Sequence, residues 1–399
     1  MKKMNSNSNR LDYLLFVIIA IYMEPPYVAS SKAFLYIDKA YDLLKVAVML
    51  FGALIYVRRI NSVNSKLLFS FTAVWVAPLF VSIINHSNIK SGILSLITVV
   101  VPCVAFCDLF LKDRNIAIRT VSAFFNCLIT INFATQLIYH DGIEYNYSLY
   151  GAINGIWFLG QSNSIIAFVL VAVVMNLIVY EFDRKKENII FIVISCISIL
   201  LADSATASVG VFLVLLIYAI VKSFFIPGGI KKMINSKILF SIAICITVIF
   251  LIIGNISIFS KIIVDVLKKD LTLTTRTIVW QKVIPAIAEK PICGYGFPYI
   301  DQFRNRFGVS HQHDFYLHIM YQGGICSLLP FLRNVIIAGR QLDSSDSNES
   351  KIIIAGIFAF LIMFISEVYD ESLYILPFYL LLSIPLIDRY SKKMYTRKE

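Results

Sequence analysis

The sequence predicts an all-α, polytopic integral membrane protein with about twelve transmembrane helices and one large outward loop containing short helices. Three observations predict it: 58% of the 399 residues are hydrophobic, only 15% are charged, and mean hydropathy is +0.76. Soluble domains carry about 25% charged residues, so water is not the main solvent for this chain. A dry bilayer core leaves every unpaired N–H and C=O at a cost of several kcal/mol. Segments that cross it are therefore helices of roughly 20 mostly apolar residues.

Apolar runs predict helices near residues 11–29, 40–58, 67–84, 91–111, 116–139, 163–181, 188–202, 206–225, 238–259, 315–332, 351–368 and 372–388. The first follows Lys2, Lys3 and Arg10. No small-x-small cleavage site comes after it and Glu24-Pro25-Pro26 interrupts it, so it is expected to be an uncleaved anchor. The second carries Asp42 and Lys45 one turn apart, and the seventh is short, running into the eighth through Ala202-Asp203-Ser204-Ala205-Thr206. Three parts follow: helices over 1–259, a loop over 260–314, and three more helices with a basic tail over 315–399.

Lys and Arg in short loops stay on the cytoplasmic side. The N-terminus, the even-numbered loops and the C-terminus hold 24 of the 36 basic residues. Both termini are thus expected in the cytoplasm. The net charge of +11 follows from this asymmetry and is spread over seven segments, which argues against nucleic acid as a partner. The seven cysteines lie mostly inside apolar runs, with no loop pair at metal spacing, and are expected to pack as small buried thiols.

Segment 260–314 is the exception, facing outward yet holding eight basic residues. About 55 residues is far beyond the usual connection length, and long loops are commonly functional. Long loops also escape the charge rule, so a solvated face under weak constraint stands beside a surface for an anionic ligand. Over 276–290, Ile278, Trp280, Val283, Ile284 and Ile287 recur at helical spacing, predicting an amphipathic helix lying on the bundle and ended by Pro291. Gly294-Tyr295-Gly296 reads as a tight turn. Ser310-His311-Gln312-His313-Asp314 then leads into the tenth helix.

Arg-x-x-x-Trp from Arg276, Pro-x-x-Gly-Tyr-Gly from Pro291, the His-rich step and Gly324 eleven positions after His313 together resemble the O-antigen ligase and polymerase superfamily. Members typically have His-Asn where this chain has His313-Asp314. Gly160-Gln161-Ser162-Asn163 is similar to a Gly and Asn that the family often has at the sixth helix. Many members also carry an Arg in the short turn between the seventh and eighth helices. This chain has Ser204-Ala205-Thr206-Ala207-Ser208 there, so that Arg cannot be carried over, and Arg304, Arg306 or Lys45 are candidates to substitute.

The resemblance implies transfer of an oligosaccharide from undecaprenyl diphosphate to an acceptor hydroxyl at the periplasmic face, with no metal or other cofactor. It also implies partners in membrane lipids and a chain-length regulator. A lipid diphosphate is already an activated leaving group, so the protein must neutralise charge on it and remove the acceptor's proton. The fixed fork of arginine suits the first task, and Arg276 is the first candidate, with Arg304 and Arg306 behind it. Histidine, with an unperturbed pKa near 6.5, suits the second. His313 is the candidate base, against a polar residue capping the tenth helix. His311, Asn163 and Trp280 are candidate sugar or substrate contacts, and Asp314 is expected to cap the tenth helix. His318 is expected to pack in the bundle.

A polymerase extending a lipid-linked glycan is the leading expectation, and a ligase to lipid A-core shares its loop pattern. A flippase or secondary carrier is the rival of another class. Such folds usually show internal repeats, and no second copy of the 276–324 pattern is present.

Overall fold

The computed structural model describes residues 8–56, 61–147, 153–254, 272–368 and 374–395. Each of the twelve apolar runs has a helical counterpart. In chain order the helices are α1 (Ser8–Tyr22), α2 (Pro26–Ser30), α3 (Leu35–Tyr56), α4 (Ser62–Ile84), α5 (Ile89–Lys112), α6 (Arg114–Ile138), α7 (Ile165–Asp183) and α8 (Lys186–Leu201). They continue with α9 (Ala205–Lys222), α10 (Gly228–Met233), α11 (Ser236–Gly254), α12 (Thr272–Glu289), α13 (Ile300–Phe307), α14 (Phe315–Asp343), α15 (Asn348–Met363) and α16 (Leu376–Tyr395).

Among the described residues, seven helices are long and apolar enough to cross a membrane: the α1–α2 segment, α4, α5, α6, α7, α9 and α14. The expected twelve is not reached on this measure for physical reasons. α3 carries Asp38, Lys39, Asp42 and Lys45, α8 and α15 have only 16 residues each, and α16 carries Asp388, Arg389, Lys392 and Lys393. The apolar part of α11 is short.

Local chemistry sets the boundaries. Glu24-Pro25-Pro26 divides the first run into α1 and α2, because a proline cannot donate the next helical hydrogen bond. Side chains of Asn61, Asn88, Asp113, Ser204, Asp314 and Ser347 accept from the first free N–H groups of α4, α5, α6, α9, α14 and α15. The tenth predicted helix overruns its apolar run to Asp343, whose carboxylate accepts from the Ser236 N–H (2.7 Å) and hydroxyl (2.6 Å) at the start of α11.

α7 is the axis of the bundle, packed against α6, α8, α9, α15 and α16. Every residue from Ile165 to Val179 is buried, as expected of a helix apolar all round. Its one buried amide, Asn176, exchanges hydrogen bonds with Asn126 of α6 (2.6 and 3.1 Å), which satisfies both groups where no water is at hand. Lys45 is buried on α3 against Glu24 (3.1 Å), with Asp42 at 3.9 Å, so its charge is neutralised within the bundle.

The chain is not wholly helical. Glu144–Tyr147 (β1), Ile153–Trp157 (β2) and Gly160–Gln161 (β3) form a small antiparallel sheet, with Glu144 opposite Ile156 and Ile156 opposite Gln161. Trp157 fastens it to α6 by donating from Nε1 to the Tyr139 carbonyl (2.8 Å). Of the predicted loop, α12 is the amphipathic helix. Val279, Trp280, Val283, Ala286 and Ile287 are buried against Phe303 and Phe307 of α13 and Leu317 and Tyr321 of α14.

Candidate functional site

The P-x-x-G-Y-G turn and the glycine pair of α14 are two halves of one joint. At Gly324 the helix leaves α geometry (φ 59°, ψ −155°), which frees backbone groups on either side. The turn takes them up. Ile325 and Cys326 donate to the carbonyls of Pro291 (2.9 Å) and Ile292 (3.0 Å), while Tyr295 and Gly296 donate to those of Tyr321 (2.8 Å) and Gln322 (2.9 Å). A Cβ on Gly324 would sit 2.4 Å from the Ile292 carbonyl, and one on Gly294 would sit 2.5 Å from that of Tyr321, so both positions require glycine. Past the joint, Phe297 donates to Ser82 Oγ (2.7 Å) and accepts from the Asn88 N–H (3.0 Å), clamping the segment onto the α4–α5 turn.

Beside this joint lies a cavity of about 1120 Å³. It is lined by the α2–α3 connection, the start of α5, the sheet, the start of α7, Arg276 of α12, Phe297 and Pro298, the 310–313 step, His318 and Gln322 of α14, and Glu367 and Val368 beyond α15. Arg276, His311, His313 and Asn163, distant in sequence, all face it.

Arg276 donates from Nη2 to Glu367 Oε1 (2.7 Å). The same oxygen accepts from Asn163 Nδ2 (2.9 Å), and Asn163 Oδ1 accepts from the Ser204 hydroxyl (2.8 Å). This line links four elements and joins Ser204, in the turn between α8 and α9, to the cation through Asn163 and Glu367.

His313 sits with its backbone at φ 55°, a left-handed conformation that aims the ring back beside His311, with ring centroids 4.2 Å apart. Its pKa falls to about 3 through burial first, then the charges of His311 and Arg276. The imidazole is therefore neutral at pH 7, with a lone pair to offer. The step is held from behind. Trp280 donates from Nε1 to the Gln312 carbonyl (3.0 Å), Gln312 Oε1 lies 2.7 Å from His318 Nδ1, and Asp314 accepts from the Leu317 N–H (2.7 Å). Asp314 is fully buried, which raises its pKa to about 7 despite that bond.

The other sequence candidates are placed differently. Trp280 is buried and holds the histidine step, lying outside the cavity lining. Arg304 is exposed near Asp301 (3.7 Å). Arg306 pairs with Glu289 (3.2 Å) and covers the Tyr295 ring, with its guanidinium carbon 4.9 Å from the centroid. Neither arginine lines the cavity, and neither does Lys45. A second cation that does line it is the exposed Lys32, near Glu144, whose carboxylate is held by the Ser31 hydroxyl (2.6 Å). His318, expected to pack in the bundle, also lines the cavity.

Glu367 and Lys32 are the residues that sequence reasoning missed. The one available signal for Glu367 was a carboxylate inside an apolar run, since an intramembrane charge needs a partner. Among the described residues no group of three or more His, Cys, Asp or Glu side chains converges as a metal site would require.

No curated protein matches the chain. The family model described as O-antigen ligase matches residues 190–332, a stretch that takes in Arg276, the Pro291–Gly296 turn, both histidines and Gly324. That match covers about a third of the chain and supports a place in the O-antigen ligase/polymerase superfamily.

Proposed function

We propose that the chain is a glycan polymerase. It transfers a growing oligosaccharide from undecaprenyl diphosphate to a sugar hydroxyl on a new lipid-linked unit, at the periplasmic face of a twelve-helix bundle with both termini in the cytoplasm. The observation that carries this reading is the meeting of Arg276 and His313 in one cavity, a cation for the leaving group beside a neutral imidazole for the acceptor. At about 1120 Å³ the cavity exceeds the usual range of small-molecule pockets, as a donor and acceptor together require.

Arg276 has five N–H donors and gives one to Glu367, leaving others for phosphate oxygens. Glu367 neutralises the partly buried guanidinium. An arriving diphosphate adds negative charge beside Arg276 and offsets that cation's part in depressing His313, which otherwise comes mainly from burial, so the imidazole becomes a better base when the donor is bound. The acceptor O–H then loses its proton to His313 as its oxygen bonds to the anomeric carbon. The bond to the diphosphate breaks with its electron pair, and the charge that develops falls on Arg276. A positioned base contributes about 10²–10⁴-fold.

Arg276→Ala and His313→Ala proteins are expected to insert normally and to leave lipopolysaccharide capped with a single repeat unit. Normal ladders in either variant overturn that residue's role. Truncation to core with no repeat identifies a ligase, and retention of unextended units on the cytoplasmic leaflet identifies a carrier.

A further inference from the structure

The cysteines do not all behave as small buried packing groups. Cys103 and Cys107 do, but Cys293 and Cys326 are exposed, with their sulfurs 3.9 Å apart. They sit on the two strands of the joint described above. Cys293 follows Ile292 in the turn, and Cys326 follows the break at Gly324 and donates its N–H to the Ile292 carbonyl. The backbone on both sides is thus already in register through the Pro291 and Ile292 carbonyls. A bonded separation of roughly 2.05 Å is then less than 2 Å away, so neither cysteine must be carried across the fold.

We propose that Cys293 and Cys326 are a disulfide site that staples the turn to the broken helix α14. The turn hangs from the α4–α5 connection through Asn85, which donates to the Tyr295 carbonyl (3.2 Å), and through Asn88. Asn88 lines the cavity, so the thiols lie at the cavity end of the bundle. The proposal rests on the outward orientation of that end, because disulfides persist in oxidising compartments and not in the cytosol. The oxidant is a protein disulfide of that compartment. One cysteine thiolate attacks it, forming a mixed disulfide and releasing one oxidant thiol. The second thiolate attacks the first cysteine's sulfur and expels the other. The two thiols lose two protons and two electrons, and the oxidant leaves as a dithiol.

The staple joins two walls of the cavity, with Phe297 and Pro298 past the turn on one side and His318 and Gln322 before the break on the other. The test uses the full-length chain isolated from cells after free thiols are blocked with N-ethylmaleimide. Non-reducing peptide mass spectrometry is expected to find the Cys293 and Cys326 peptides linked, and to lose that species on reduction. C293S is expected to leave Cys326 alkylated without reduction. Alkylation of both cysteines in the unsubstituted chain overturns the staple if a topology reporter fused in the 290–310 segment reads outside. If that reporter reads cytoplasm, the orientation under the proposed function fails first, and the staple falls with it.

Discussion

Two neighbouring groups in the His-rich step respond to pH in opposite senses. His313 is held near 3 in the fold against about 6.5 in the unfolded chain. Between those values the unfolded state binds the extra proton, so stability falls as pH falls. Asp314 is raised to about 7 against about 3.9 when unfolded, so there the folded state binds the extra proton and stability falls as pH rises. Each slope is at most about 1.4 kcal/mol per pH unit, and between pH 4 and 6.5 they largely cancel. His313→Asn, which tolerates the left-handed backbone, is expected to become less stable as pH rises through that window. Asp314→Asn, which keeps an N-cap, is expected to become more stable. Thermal unfolding in detergent at several pH values measures both, and parallel profiles for the two variants would show that one group does not carry its assigned shift. Arg276, His311, His313 and Asn163 were legible because each sits in a spaced motif. Glu367 was not, because it lies 91 residues from Arg276 and no local pattern announces the pairing. Trp280 was legible as a position but not as a role, since an aromatic that stacks on sugar and one that anchors a loop look the same in one dimension.

At the scale of elements, the glycines of the motif turn out to be architecture. The broken helix and the turn exchange four backbone hydrogen bonds, so each satisfies polar groups that the other exposes. This also explains why residues 315–332 could be read in the sequence as one helix, because the apolar pattern continues through a break at Gly324 that only φ and ψ reveal. The β1–β3 sheet was hidden for a related reason. Its strands are two to five residues long, too short for a two-residue period to stand out beside aromatic residues that serve equally well at a bilayer interface. Gly324→Ala adds a Cβ at 2.4 Å from the Ile292 carbonyl, on a backbone that costs a non-glycine residue about 1–3 kcal/mol before the clash is counted. It is expected to displace the Pro291–Gly296 turn, lowering the unfolding temperature and opening the 290–300 segment to limited proteolysis while α7 stays protected. Resistance equal to the unsubstituted chain would mean that the joint does not hold the turn.

For the whole molecule, two helices that end next to the Arg276 hydrogen-bond line are short. α8 and α15 have 16 residues, or about 24 Å of helix, against a hydrocarbon thickness of about 30 Å, while α4, α5 and α6 run to 23–25 residues. The N-terminus of α7 carries Asn163 near its start, the α8–α9 turn carries Ser204, and Glu367 follows α15. All three residues belong to the Arg276 hydrogen-bond line. Under the proposed orientation, short helices that stop at a common polar cluster bring Arg276 and its partners towards the level of a lipid carrier's headgroup. If the cavity opens outward, Ser162→Cys, in its lining and partly exposed, is expected to react in intact cells with a small membrane-impermeant thiol reagent, above the background of the unsubstituted chain. Ser223→Cys, at the far end of α9, is expected to react only after the cells are opened. The reverse pattern would invert the bundle, place Arg276 and His313 on the cytoplasmic side, and remove the basis for glycan transfer at the periplasmic face.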